Sequence, residues 1–113
     1  MTQGFQDLDR VIHEKARLAI LTALAAAPKG LSFTQLKKTC DLTDGNLSRH
    51  IQTLADANLV TVEKGFEGNR PLTQCQITPE GQRRFDDYLN LLESLVREAI
   101  AARDTASLRA KPA

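Results

Sequence analysis

Residues Leu42 to Val60 read LTDGNLSRHIQTLADANLV, and the spacing of their apolar side chains predicts a helix. Leu47, Ile51 and Leu54 recur at i, i+4 and i+7, which at about 100° per residue makes one narrow stripe that must face a core. The same projection turns Gly45, Arg49, Gln52 and Thr53 away from the stripe and sets Asn46 and Ser48 on its flanks. Amides, hydroxyls and a guanidinium are the groups that pair with base edges and phosphate oxygens. Thr43 stands at the N-cap position, where a hydroxyl accepts a hydrogen bond from an otherwise orphan N–H. Small residues behind a helix N-terminus let a phosphate come close.

On its own, a helix with such a polar outer face is more often solvated than a reader of DNA. Order along the chain shifts that balance. A short helix precedes it, opening at Ser32 or Phe33 and ending at Cys40 (SFTQLKKTC), with Phe33 and Leu36 inward and Lys37 and Lys38 outward, on phosphates or in solvent. Asp41-Leu42-Thr43 is the turn between the two. Beyond Asn58 the period changes from 3.6 to 2: Val60 to Lys64 and Leu72 to Ile77 alternate apolar and polar residues as half-buried strands do. Between them GFEGNRP has the composition of a hairpin loop too long for a two-residue turn. Arg70, with Lys64 at the base of this wing, is positioned for a minor groove or a phosphate, and Glu67 weakens the local charge. A helix-turn-helix over 32–58 and a wing over 59–78 follow, in a mainly α fold with a small β-hairpin.

The flanking segments predict two longer helices. Met1 to Asp7 is a polar lead-in anchored by Phe5, and a helical region spans 8–27, with a kink near His13 and Glu14. Its Ile12, Ala16, Ile20, Ala23 and Leu24 share one face, while Val11, Leu18, Leu21 and Ala25 share the opposite one. A helix apolar on both sides is buried from two directions, and a second subunit would supply one of them. Pro28-Lys29-Gly30 stops it. Thr78-Pro79 is a strong start for a helix over 79–104, with Phe85, Tyr88, Leu92, Leu95 and Ala99 at spacings of 3 or 4, and Leu89, Val96 and Ile100 widening the stripe. Some 25 residues make about 37 Å, more than this domain needs for its own core. The excess predicts a homodimer seam using Val11, Leu18, Leu21, Tyr88, Leu92, Leu95, Val96 and Ala99. Residues 105–113 have no apolar periodicity and read as a frayed tail.

Composition narrows the function. At 113 residues with 42% apolar content the chain reads as a single domain with a real core and no room for a separate effector domain. Aromatics at 4%, with no Trp, argue against a stacking platform for single strands or RNA. Net charge is only +1, and 29–78 holds six Lys or Arg against five Asp or Glu, so DNA binding must rest on local placement. A dimer doubles those contacts. Cys40 and Cys75 lie 35 residues apart with only His13 and His50 as other soft ligands, so neither metal, cofactor nor thiol oxidation is expected to enter the function. No secretory pattern opens the chain and no apolar run reaches about 18 residues, which predicts a cytoplasmic protein without membrane contact.

The motifs LDRVIHEKARLAIL, LSFTQLKKTCDLTDGNLSRHIQTLADANLV, GFEGNRP and ITPEG, in this order, resemble the small stand-alone winged-helix transcriptional regulators related to the MarR and ArsR families. The resemblance covers residues 5 to about 100. It implies a homodimer formed by the N- and C-terminal helices, with paired recognition helices in successive major grooves of a double-stranded DNA operator. The residues it implies at DNA are Thr43, Asp44, Gly45, Asn46, Ser48, Arg49 and His50 in the helix and Asn69 and Arg70 in the wing; Gln52, Lys37 and Lys38 join them from the outward helix faces and Lys64 from the base of the wing. His50 falls near the buried stripe, so its ring packs while a nitrogen reaches phosphate. Metal-sensing ArsR-like repressors carry paired cysteines near the start of this helix, where here Cys40 stands alone. A rival reading is a winged-helix module that docks on protein. An enzyme has little support, because no nucleophile, carboxylate pair or phosphate loop stands in a suitable setting. Any effector would bind between the dimer helices or in the cleft below the wing, and no polar cluster commits to either.

Overall fold

A computed structural model describes residues 3–110. After a 3-10 turn at Phe5–Asp7 the elements are α1 (Lys15–Ala25), β1 (Leu31–Ser32), α2 (Phe33–Cys40), α3 (Asp44–Asp56), β2 (Val60–Glu67), β3 (Arg70–Ile77) and α4 (Pro79–Ala110). The three strands form an antiparallel sheet in the order β1-β3-β2. This is a winged helix.

Each helix begins on a side-chain cap. The Ser32 hydroxyl accepts from Gln35 N (3.1 Å) while Gln35 Oε1 accepts from Ser32 N (2.8 Å), a reciprocal box that starts α2. Asp41 ends it with φ of 54°, and Thr43 Oγ1 then accepts from Asn46 N to open α3. Thr78 Oγ1 accepts from Gly81 N at 2.8 Å and donates to Asn58 O at 2.7 Å. One hydroxyl thereby caps α4 and ties it to the end of the helix-turn-helix.

The core gathers Ile20, Leu21 and Leu24 of α1, Leu36 of α2, Leu47, Ile51 and Leu54 of α3, Val60 and Cys75 of the sheet, and Phe85, Tyr88 and Leu95 of α4. α1 lies at its centre, against α2, α3 and β3. Leu21, expected on a subunit seam, is therefore fully buried in the chain's own core, as Tyr88 and Leu95 nearly are. Through Leu21 the second apolar face of α1 meets the domain itself, while Leu18 and Ala25 on that face stay half-buried. Each such side chain contributes about 1.5–3 kcal/mol of burial.

The boundaries of three elements, and the place of Phe5, differ from the sequence reading. The first helix is 15–25, not 8–27, because Asp9 Oδ1 accepts from Val11 N and Ile12 N, and Glu14 caps Arg17 N at 2.8 Å. Short acidic acceptors draw the backbone into turns there, so the expected kink is the true start. Phe5, expected as an anchor, is exposed. The wing loop is only Gly68-Asn69: the ladder continues through Phe66↔Pro71 to Glu67↔Arg70, and Gly68 takes the positive φ of 64° that a tight hairpin turn needs. Pro71 is tolerated there because it falls on a pair that exchanges no ladder hydrogen bond. Finally α4 runs to Ala110, not 104. RDTASLRA contains no Gly or Pro to stop it; positions 111–113 lie outside the described residues.

Two glycines separate packing from other needs. A Cβ on Gly81 would stand 2.1 Å from Leu59 O, whereas one on Gly45 meets nothing within 4 Å. Gly81→Ala is expected to cost about 1–3 kcal/mol through overpacking, and Gly45→Ala to leave stability unchanged or raise it by up to about 1 kcal/mol. Urea denaturation of both variants checks this; equal effects would refute it.

Candidate nucleic-acid interface

Burial of Leu47, Ile51 and Leu54 leaves the rest of α3 turned outward. Thr43, Asp44, Gly45, Asn46, Ser48, Arg49 and Gln52 are all exposed, and Lys37 and Lys38 stand beside them on α2. These side chains are loosely paired among themselves. Lys37 Nζ lies 3.0 Å from Asp44 Oδ1, Arg49 Nη2 donates to Asn46 Oδ1 at 3.2 Å, and Gln52 Nε2 donates to Asp56 Oδ1 at 2.8 Å. Exposed pairs of this kind are worth about 0–1 kcal/mol, so they can exchange partners at little cost. The Lys37 contact also offsets the carboxylate at the first turn of α3, where an uncompensated Asp44 would repel phosphate.

His50 is the exception among the residues placed at this face. Its side chain is turned inward, only 9% exposed, with Nδ1 3.3 Å from Arg17 Nη1 and 3.7 Å from Glu14 Oε1. Position 50 projects beside Leu47, Ile51 and Leu54, so its ring meets the start of α1. Arg17 Nε also donates to Val11 O at 2.6 Å, and His13 Nδ1 lies 2.7 Å from Tyr88 Oη. Burial holds the Tyr88 phenol above its ordinary value. Arg84 pairs with Asp9 Oδ2 at 2.8 Å. The segment Asp9–Glu14 is thus clipped to α4 on one side and to α3 on the other, through Glu14 and Arg17, neither of which the helical pattern singles out.

The hairpin projects beside α3. From Thr61 to Pro71 every residue is exposed, including Lys64, Asn69 and Arg70. The register sets Val60, Val62, Lys64 and Phe66 on one face with Ile77, Cys75, Thr73 and Pro71, and Arg70 on the other with Glu67. Lys64 and Arg70 therefore do not act from the same side. The Lys64 face looks across a groove of about 770 Å³ at Ser48 and Gln52.

Burial raises the thiols of Cys40 and Cys75, both unpaired. Among the described residues no group of three or more His, Cys, Asp or Glu is placed to hold a metal ion, and no helix is long and apolar enough to cross a membrane.

Residues 16–96 match the family described as winged helix DNA-binding domain. The chain belongs to that family. An uncharacterized protein of Methanocaldococcus jannaschii is 31% identical over 80 residues, 71% of this chain and 86% of that one. A transcriptional regulator homologue from Pyrococcus horikoshii superposes with a TM-score of 0.76 at 30% identity, over 80% of this chain and 89% of the other. The S. aureus MepR–DNA complex shares the fold at a TM-score of 0.68 and 18% identity, over 92% of this chain and 85% of that one. The architecture is that of MarR-family regulators.

The Glu14 contact makes a pH prediction. Burial pushes its carboxyl up, but the N–H groups of Arg17 and Ala16 and the charges of His50 and Arg17 outweigh this and hold it below its ordinary value of 4.5. A carboxyl lowered in the folded state adds stability that is present above its unfolded value and is lost as pH falls through the folded one. The stability difference between the parent and Glu14→Gln should close on acidification below about pH 4.5. Urea midpoints measured from pH 7 to pH 3 test it; a constant difference would refute it.

Proposed function

We propose that this chain is a homodimeric, sequence-specific regulator of transcription that binds a double-stranded operator, with α3 in the major groove and the wing on the adjacent minor groove or backbone. The observation that carries this reading is the rotation of α3: the only apolar stripe is buried, and the outward face is made of Thr43, Asn46, Ser48, Arg49 and Gln52 beside a protruding hairpin. The DNA complex of MepR shows the same fold engaged with DNA. Two-fold symmetry then asks for half-sites about 34–36 Å apart, or a multiple of this.

Helix and wing should fail differently. Arg49, exposed and held by Asn46, suits a bidentate contact to a guanine edge. Arg49→Ala is expected to cost about 1–3 kcal/mol and to relax preference at one position in each half-site. Arg70→Ala should weaken all sequences alike and lower the salt slope by about one unit per phosphate contact removed. Selection from random duplexes, followed by anisotropy titrations at two salt concentrations, tests both. Enrichment of no sequence would favour the protein-docking module, which the net charge of +1 also suits.

The dimer rests on α4. Its inner side is buried as far as Leu95, and about 100° round the helix Leu89, Val96 and Ile100 form a second stripe left in solvent, with Val96 and Ile100 46% and 44% exposed. From Val96 to Arg109 every residue is exposed. Together with half-buried Leu92, Val11 and Leu18, and exposed Ala99, this is the surface for a second copy. Because Val96 and Ile100 do not serve the monomer core, Val96→Glu with Ile100→Glu should yield a folded monomer by sedimentation and far-UV circular dichroism. A dimer that survives the double substitution would remove these residues from the interface.

A further inference from the structure

Among the described residues Phe66 is the most exposed of the large apolar side chains, at 74%. It stands one residue pair from the tip of the wing, opposite exposed Pro71. The face it occupies is the inner one: at the root Val60 and Cys75 are buried in the core, and further out Val62, Lys64 and Thr73 line the groove facing α3. Past that groove none of the described residues covers Phe66. Its strand neighbour Gly65 points to the outer face, where a Cβ would meet nothing within 4 Å. The two-residue turn at Gly68-Asn69 makes the tip short, so Phe66 and Pro71 form a narrow apolar edge with the Lys64 ammonium behind it on the same side.

We propose that Phe66, backed by Pro71, is a wedge that enters the minor groove beside the major groove occupied by α3, with Lys64 on the flanking phosphate. This rests on the DNA-binding reading above and deepens it. An apolar edge with a cation behind it is the chemistry by which side chains press between base pairs from the minor groove, partly unstacking a step and kinking the duplex toward the major groove. A protein surface would be met as well by the edge alone. The lysine on the same face and the shared side with the polar face of α3 favour the duplex. Arg70, across from Glu67 on the outer face, then contacts backbone rather than leading into the groove. The wedge selects sequence without base hydrogen bonds: pyrimidine–purine steps unstack most readily, so each outer flank of the operator should carry one.

The test uses the full chain on duplexes whose core is taken from selection and whose flanking step is varied, with 2-aminopurine placed at that step. The parent is expected to raise 2-aminopurine emission on binding and to prefer a TA or CA step over a stiff A-tract by roughly fivefold or more. Phe66→Thr, which keeps a strand-forming residue, should abolish both effects while core discrimination dependent on Arg49 persists. Phe66→Leu, still an apolar wedge, should retain part of the flank preference; if Leu and Thr behave alike, an apolar wedge is refuted. Unchanged emission in the parent, or a flank preference that survives Phe66→Thr, overturns the wedge and leaves recognition by α3 standing. Failure of the parent to bind any duplex overturns the DNA-binding reading and the wedge with it.

Discussion

Burial of Leu47, Ile51 and Leu54 is the constraint from which the rest of the molecule follows. All three are at or near zero exposure, and a helix has only one rotation that buries a stripe so narrow. That rotation fixes which side chains of α3 face outward. It also draws α1 to the centre of the domain, since Ile20 and Leu24 belong to the same core. The sheet closes the core through Val60 and Cys75, and Thr78 pins α4 to the end of α3 through Asn58.

The near-neutral charge of the chain makes local geometry the source of its electrostatics. Lysine and aspartate are paired across the helix-turn-helix through Lys37 and Asp44, and Arg49 rests on Asn46. These contacts hold the groups in extended, exposed positions and give way easily to a stronger acceptor such as phosphate. The wing divides its chemistry by strand alternation: Lys64 and Phe66 on the side of α3, Arg70 and Glu67 on the other.

The segment Asp9–Glu14 joins parts that the core alone would leave less firmly related. Asp9 and His13 hold Arg84 and Tyr88 of α4, while Glu14 and Arg17 hold His50 of α3. The recognition helix and the long helix therefore share one polar brace. These four contacts hold a segment that is not a continuous helix, because acidic side chains at Asp9 and Glu14 compete for the backbone N–H groups that a continuing helix would need.

What was legible in the sequence was local or periodic. The stripe of α3, the caps at Thr43 and Thr78, and the switch to alternation after Asn58 each depend on neighbours a few residues away, and they were enough to define the winged helix. Tertiary structure decided the rest. Leu21, Tyr88 and Leu95 looked available to a partner because periodicity marks an apolar face without saying what covers it, and here the chain's own sheet and helices do. His50 looked half-available to DNA until Glu14 and Arg17, more than thirty residues away, were brought beside it. The composition of GFEGNRP suggested a loose loop and hid the alternation that places Phe66 and Lys64 together; only the pairing of β2 with β3, a non-local register, shows that the ladder continues to Glu67 and Arg70. Short-range patterns are fixed by backbone geometry, whereas what a face meets is settled by contacts between distant segments.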